Sequence, residues 1–184
     1  IEARGVDAVL QEIEDGALGE GFWNVILPQN LNRANASSPF LYVFLAAQSN
    51  LGHRGFLSKD ITITDLLEQR GDIHHIFPKA LMRKNGRSWG EYNQVANLVL
   101  MQQEINIRIG SKAPSDYMSS VLEGISDGTF RFGAITTKEE LDSNLSENAI
   151  PASLMAASLA DFDSFLEERR LLMSKLIERY YKRL

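Results

Sequence analysis

Apolar residues recur at helical intervals over much of this chain of 184 residues. The segment from Glu2 to Asp15 has this spacing and is followed by Gly16, which predicts an amphipathic helix. Its apolar positions are Val6, Val9, Leu10 and Ile13. The next segment, 19–35, is less regular, and we interpret it as packing structure made of a short strand or helix.

Ser38-Pro39 marks a helix start, because serine favours the N-cap and proline the first helical position. The nearly apolar run from Phe40 to Ala47 predicts a buried helix that closes at Leu51-Gly52. Gln48 would lie at its solvated end.

Further helices are predicted at three places along the chain. They are a helix from Asp65 capped by Thr64, one over Ser115–Gly124, and a long amphipathic helix over Asp161–Leu184. The segment 129–150 is acidic and weakly periodic, and no chemistry is assigned to it.

Residues that could take part in catalysis or bind a metal are concentrated between Asp72 and Asn106. The stretch contains Asp72-Ile73-His74-His75-Ile76-Phe77-Pro78, then Asn97-Leu98-Val99-Leu100, then Asn106. In an extended segment Asp72 and His74 share one face and His75 takes the other. A lone histidine on an apolar strand is usually a core residue. Two adjacent imidazoles with a nearby carboxylate and two spaced asparagines favour a site instead.

On these residues the chain resembles the HNH nucleases, also called His-Me finger or ββα-metal nucleases. It is most similar to the C-terminal region of GmrSD-type modification-dependent restriction endonucleases, where His-His-Ile-Phe-Pro-Lys-Ala is followed by Asn-Leu and a later Asn. These motifs are His74–Ala80, Asn97-Leu98 and Asn106 here. The similarity continues over 106–117 and 165–169, so it covers most of the chain.

The resemblance implies an α+β fold that is mainly helical, with a ββα-metal motif embedded among helices. The motif would have strands at Asp72–Ile76 and Asn97–Met101, a connection over 77–92 and a helix at Gln103–Ile109, which brings Asn106 to His74 and His75. We expect a helical support region at 1–71, a nuclease core with its following helix at 72–124, and an acidic segment with a C-terminal helix packing on the core at 125–184. Together they would form one compact domain.

Composition narrows the class of protein. The chain has no cysteine, which excludes a disulfide scaffold and a Cys-ligated zinc site. It has no signal-peptide pattern and no apolar run of about 18 residues, so we expect a cytoplasmic protein without a membrane partner. It starts at Ile1 rather than Met, so we expect a fragment whose larger N-terminal portion, with NTPase and target-recognition functions in the similar family, lies upstream.

Charge is unevenly distributed. A formal net charge of −5 argues against bulk electrostatic coating of nucleic acid. Residues 72–112 nevertheless carry six basic and three acidic side chains, a balance of +3, whereas residues 113–161 carry two basic and eight acidic ones. The positive stretch is either a phosphate-binding surface or a solvated face. The same two alternatives apply to the loop with His53, Arg54 and Lys59. Arg169 and Arg170 are expected to form helix-surface salt bridges or to face DNA.

The resemblance assigns roles to individual residues of a metal-dependent DNA endonuclease. His75 would be the general base, and Asn97 would orient His75 or the connecting loop. His74 and Asn106 would be metal ligands, and Asp72 would bind the metal or accept a hydrogen bond from a ligand imidazole. The residues expected to contact DNA phosphate are Lys112, Arg108 and Lys79.

Mg²⁺ is the expected cofactor, with Mn²⁺, Ni²⁺ or Zn²⁺ as alternatives because the ligand set contains imidazole. The partner is DNA, a homodimer is left open, and the implied role is restriction or anti-phage defence. Two alternatives remain: a catalytically silent HNH-like module that binds DNA or protein, and a small-molecule phosphohydrolase, which would have a closed pocket.

Overall fold

The computed structural model describes residues 5–32, 34–69 and 71–184. Over these residues the chain is mainly helical with one small antiparallel sheet, which confirms the expected α+β class. The predicted helix start at Glu2 lies outside the described residues. The helices are α1 (Val6–Ala17), α2 (Leu27–Asn32), α3 (Pro39–Asn50), α4 (Ile63–Glu68), α5 (Lys79–Lys84), α6 (Trp89–Tyr92), α7 (Gln103–Ile109), α8 (Pro114–Asp127), α9 (Lys138–Glu147) and α10 (Phe162–Tyr181); a π-helical turn (Phe22–Ile26) precedes α2, and 3₁₀ turns lie at Val95–Asn97, Ala152–Ala156 and Leu159–Asp161. The strands are β1 (Ile73–His75) and β2 (Leu98–Leu100). No helix in the described part of the chain is both long and apolar enough to cross a bilayer.

Helix α3 begins as its sequence predicts. Ser38 is the N-cap and its hydroxyl accepts a hydrogen bond from the Phe40 amide, while Pro39 occupies the first helical position. The helix ends at Asn50 with Leu51 as its C-cap, and Gly52 adopts a φ of 69°. The prediction for Gln48 is wrong. Its side chain is buried and donates to the Glu147 carbonyl at 3.0 Å, because α9 covers this end of α3.

Helix α4 starts two residues before the predicted position. Its N-cap is Thr62 rather than Thr64, and Thr62 forms a capping box with Asp65. The Thr62 hydroxyl accepts from the Asp65 amide at 3.1 Å, and the Asp65 carboxylate accepts from the Thr62 amide at 2.8 Å. This reciprocal pair satisfies two backbone donors, which Thr64 cannot do without an acid three residues later.

The sheet pairs β1 with β2 in one register, with Ile73 opposite Leu100, His74 opposite Val99 and His75 opposite Leu98. Both strands are shorter than predicted. Asp72 lies before the paired residues and is exposed, while Asn97 closes the preceding 3₁₀ turn. Helix α7 follows β2 with the predicted bounds, so the chain has a strand, a long connection, a second strand and then a helix.

The long helix α10 packs against α2 and α3 and contacts the turn that leads into β2. The interpretation of its two arginines as surface or DNA-facing residues is wrong. Arg169 is fully buried and donates to the carbonyls of Ala96 and Leu98, both at 2.8 Å, and of Asn148 at 3.3 Å. Arg170 is nearly buried, with Nη1 3.3 Å from Gln94 Oε1. Burial lowers the pKa of Arg169 to about 9, so the guanidinium stays charged at neutral pH.

Replacing Arg169 should destabilise the fold strongly. Arg169→Met keeps an apolar stem but leaves buried carbonyls without a donor, so we expect the free energy of unfolding to fall by about 3 kcal/mol. Urea unfolding followed by circular dichroism measures this. Lys175→Met, on the exposed side of the same helix, is the control and should change stability by less than about 0.5 kcal/mol. Equal losses in both variants would contradict the assigned role of Arg169.

Candidate functional site

The turn after β1 is anchored in the core and holds the two histidines beside it. Ile76 and Phe77 are buried, and the Phe77 ring meets those of Phe162 and Phe165 on α10 at centroid distances of 5.0 and 5.2 Å. The fully buried Tyr117 hydroxyl donates to the Ile76 carbonyl at 3.1 Å. The backbone that follows the histidines is therefore fixed by two helices.

A small pocket unites most of the residues that the motif singles out. This histidine pocket has a volume of about 220 Å³. It brings His74 and His75 to Asn106, although about thirty residues separate them, and it places Lys79 at its rim. Its lining residues are Ile73, His74, His75, Pro78, Lys79, Ala80, Asn106 and Gly110.

His75 is half-buried in the pocket and has a defined partner. Its Nε2 lies 3.3 Å from Oδ1 of Asn93, which can only accept a hydrogen bond. Nε2 therefore carries the proton and Nδ1 has the free lone pair. Burial lowers the pKa of His75, against the opposing effect of the Asn93 hydrogen bond, and the charges of Lys79 and His74 lower it further. The imidazole is neutral at pH 7 and can accept a proton.

Asn93 is a site residue that the sequence interpretation missed. It lies in the connection between the strands, directly after α6, and has no motif of its own. The Tyr92 ring beside it meets the His75 ring at a centroid distance of 5.8 Å. Its separation from His75 along the sequence matches no helix or strand period, so the sequence does not predict the contact. The folded connection between the strands brings the two residues together.

His74 and Asn106 are the side chains in the pocket that could hold a divalent cation. Nε2 of His74 is buried and has no hydrogen-bond partner, and burial lowers the pKa of His74 while Asp72 opposes that shift. Such an unpartnered nitrogen is unusual in a folded protein and is accounted for when an ion or another ligand completes it. The half-buried Asn106 supplies an amide oxygen from α7.

His74 and Asn106 fit a divalent cation that would be coordinated by both the protein and a substrate phosphate. Across residues 5–32, 34–69 and 71–184, no group of three or more His, Cys, Asp or Glu side chains is placed to hold a metal ion. An ion at His74 and Asn106 would need further ligands, and phosphate and water can supply them. An imidazole in the set favours Mn²⁺, Ni²⁺ or Zn²⁺ over Mg²⁺, which prefers oxygen ligands.

Asn97 contacts the connecting loop and makes no hydrogen bond to His75. It is fully buried. Its Nδ2 donates to the carbonyls of Tyr92 at 2.9 Å and Phe77 at 3.2 Å, and its Oδ1 accepts from the Phe77 amide at 2.9 Å. Asn97 is a positioning residue for the turn after β1, out of reach of a substrate.

Three of the expected site residues lie away from the histidine pocket. Asp72 is exposed and lines a separate pocket of about 280 Å³ with Gln69 and Met101. Arg108 lines another pocket, of about 340 Å³, and donates to the Arg131 carbonyl at 3.0 Å. Lys112 is 6.0 Å from the centroid of the Phe132 ring. Among the expected phosphate contacts, Lys79 is the one that the structure brings to the histidines.

The loop containing His53, Arg54 and Lys59 is neither a free basic surface nor a solvated segment. Arg54 forms a salt bridge with Glu147, and His53 Nδ1 lies 2.8 Å from the Glu147 carbonyl. Lys59 pairs with Glu140 at 2.7 Å. The acidic segment to which no chemistry was assigned thus forms α9, which neutralises this loop.

Cavity size alone points to a different place. The described part of the chain has a larger cavity, of about 950 Å³, bordered by α9 and α10, with Leu145, Ile150 and Leu172 in its lining. None of its lining residues is a histidine or an asparagine. We place the candidate site in the smaller histidine pocket because the chemistry of its side chains, and not its volume, supports a reaction.

No protein-family model matches this chain, and comparison with curated proteins and with solved structures yields no match either. The function is therefore argued from the histidine pocket itself.

Stability should fall as the solution is acidified through the range in which histidine titrates. Burial is the main cause that lowers the pKa of each of His53, His74 and His75 below the usual histidine value of 6.5. Below that value the unfolded chain binds more protons than the folded chain, so the free energy of unfolding decreases. The strong carboxylate effects lie lower, because the pKa values of Glu91 and Glu140 fall from 4.5 to about 2.

Urea unfolding at about pH 7.5 and about pH 5.5 measures this dependence. His74→Gln removes one titrating group, so the stability difference between the two pH values should be smaller in this variant. An unchanged stability of the wild type across the range would show that the histidines are not shifted.

Proposed function

We propose that this chain is a metal-dependent DNA endonuclease domain of the HNH class that hydrolyses phosphodiester bonds. One observation carries the proposal. A neutral histidine with a fixed tautomer, a histidine nitrogen without a partner, an asparagine and a lysine meet in one pocket beside a two-stranded sheet and its following helix. A general base, metal donors and a phosphate-binding cation are the groups that this hydrolysis needs.

His75 is the general base. Its Nδ1 accepts a proton from water as the water oxygen bonds to phosphorus, and the bond between phosphorus and the departing sugar oxygen breaks. Asn93 accepts from Nε2–H, so it holds the ring in the reactive tautomer and stabilises the imidazolium that forms. The lowered pKa of His75, caused chiefly by burial, keeps the base unprotonated at neutral pH before the reaction.

His74 and Asn106 would hold the divalent cation. When bound, the cation supplies Lewis-acid stabilisation of the negative charge that develops on phosphate and on the leaving oxygen. Lys79, exposed at the rim, attracts a phosphate and orients it toward His75. His74 and Asn106 alone would hold a divalent cation weakly, and a substrate phosphate would strengthen its binding.

The likeness to modification-dependent restriction enzymes extends the proposal to a biological role. The domain would be the cleavage part of a type IV restriction or anti-phage defence enzyme, with NTP hydrolysis and target recognition in an upstream portion. A DNA polymer fits the pocket better than a small phosphorylated molecule does, because Lys79 and Ala80 border it and are exposed.

A catalytically silent HNH-like module that binds DNA or protein is the second candidate. One observation favours it: no carboxylate lines the histidine pocket, and Asp72 faces a different one. If this candidate is right, the pocket binds no metal ion strongly enough for hydrolysis.

Plasmid cleavage decides between these candidates. We expect wild-type protein to nick supercoiled plasmid with Mg²⁺ or Mn²⁺ and not with EDTA, and His75→Ala to lower the rate by about 10²- to 10⁴-fold through loss of the base. His53→Ala, a histidine outside the pocket, is the control and should cut at nearly the wild-type rate. Cleavage by His75→Ala at the wild-type rate would refute the assigned base. Failure of the wild type to cut with either metal would favour the silent module.

Substitutions of Asn106 test the metal site separately. Asn106→Ala should raise the metal concentration for half-maximal cleavage by about tenfold or more. Asn106→Asp should lower that concentration, because a carboxylate binds a divalent cation more strongly than an amide does. Asn30→Ala, an exposed asparagine on α2, is the control. If both Asn106 variants keep the wild-type metal dependence, Asn106 is not a ligand.

A further inference from the structure

A second cleft continues from the histidine pocket. Its volume is about 530 Å³. It shares Lys79 with the histidine pocket, and the Tyr92 ring in its wall meets the His75 ring. We call it the tryptophan cleft; its lining residues are Lys79, Arg83, Gly86, Arg87, Trp89 and Tyr92.

Trp89 is held rigidly at the surface of this cleft. Its side chain is 60% exposed, whereas Trp23 is 5% exposed in the core. Trp89 is the first residue of α6, which is fixed by the capping box of Ser88 and Glu91. The α6 residue Tyr92 is buried. A large aromatic ring is therefore mostly exposed to solvent on an anchored turn.

The cleft has uncompensated positive charge. Arg87 is engaged by Glu91 at 2.9 Å and by Asp163 at 2.8 Å, and these ion pairs tie α6 to α10. Within the described ranges, neither Lys79 nor Arg83 has an ion-pair partner, and no carboxylate lines the cleft. An anion with a flat apolar face matches this combination of free cations and an exposed indole.

We propose that the tryptophan cleft binds an unpaired nucleotide of the DNA substrate, next to the phosphodiester that the histidine pocket cleaves. The base stacks on Trp89, and the neighbouring phosphates contact Lys79 and Arg83. A base within a duplex has both faces covered by its neighbours, so only a single-stranded or displaced base can stack on the indole. This inference rests on the proposed nuclease function and makes Trp89 a residue that selects locally unpaired DNA.

Binding in EDTA tests the cleft without cleavage. Fluorescence anisotropy would be measured with a fluorescein-labelled single strand and with a duplex of the same sequence. Trp89→Ala should weaken single-strand binding by about 5- to 150-fold and change duplex binding by less than about twofold. Arg83→Ala should weaken both, because phosphate contacts are independent of base pairing. Phe130→Ala, which removes another exposed aromatic ring, is the matched control and should bind both DNAs like the wild type.

Tryptophan fluorescence gives a readout that a structural role of Trp89 would not produce. Single-stranded DNA should quench the emission of the wild type, and the quench should vanish in Trp89→Phe, which retains an aromatic ring for folding and stacking but leaves only the buried Trp23. Single-strand affinity of Trp89→Ala equal to that of the wild type, or a quench that persists in Trp89→Phe, would overturn the inference.

The outcomes separate this inference from the nuclease proposal. Plasmid cleavage with normal single-strand binding by Trp89→Ala removes the role of Trp89 and leaves the nuclease. Single-strand binding that depends on Trp89, without cleavage by the wild type under any metal, leaves the cleft as the ligand site of a silent DNA-binding module. Absence of single-strand binding by the wild type refutes the role of the cleft, and plasmid cleavage with Mg²⁺ or Mn²⁺ then tests the nuclease by itself.

Discussion

The buried guanidinium of Arg169 is the interaction on which the rest of the structure depends. No ion pair to this charge exists among the described residues, and backbone carbonyls on both sides of Asn97 and at the end of α9 stabilise it. Asn97 in turn bonds both backbone groups of Phe77, directly after the histidines. A chain of hydrogen bonds thus runs from α10 through the start of β2 to the turn that aims His75. Because all of these groups depend on the same arginine side chain, they are fixed or lost together.

The candidate site lies at the edge of this hydrogen-bond network, and it contains a buried nitrogen whose hydrogen bond is missing. Elsewhere buried polar side chains such as Asn144 and Asn97 satisfy their hydrogen bonds with backbone groups. Among the described residues two buried side-chain nitrogens have no hydrogen-bond partner, Nε2 of His74 and Nε of Arg169, each at a cost in stability of about 1–3 kcal/mol. Natural proteins tolerate such local conflicts mainly where function needs them. Of the two residues, His74 is the one that lines an open pocket, so its free nitrogen is the one that a ligand can reach.

A local signal predicted the Ser38 cap of α3, whereas the bounds of α7 are those that the resemblance implied. One error was local, because Thr62 and not Thr64 caps α4, and tertiary contacts account for the other differences. Asn93 reaches His75 only because the connection between the strands folds back on it. Arg169 is buried because it binds a cluster of backbone carbonyls that form only in the fold. Arg108 shows the limit of counting charge along the chain. It lies two residues after Asn106, or about 200° around a helix with 3.6 residues per turn, and so reaches a different pocket. The proximity of Asn106 to the histidines was expected from the resemblance, and periodicity alone could not have predicted it.

The positions of the charged side chains in the fold leave a smaller basic surface than the charge counted along the sequence indicates. Residues 72–112 carry a balance of +3, yet Arg87 is neutralised by Glu91 and Asp163, and Arg108 bonds a carbonyl on another side. Of the three cations that line the tryptophan cleft, Lys79 and Arg83 are those without an ion-pair partner among the described residues. Each phosphate contact releases about one counterion, so two contacts give only weak, salt-sensitive attraction. On a chain of net charge −5, base stacking and a shared metal ion would have to supply much of the remaining affinity. The proposed base stacking on Trp89 would therefore matter more to binding than the net charge of the chain does.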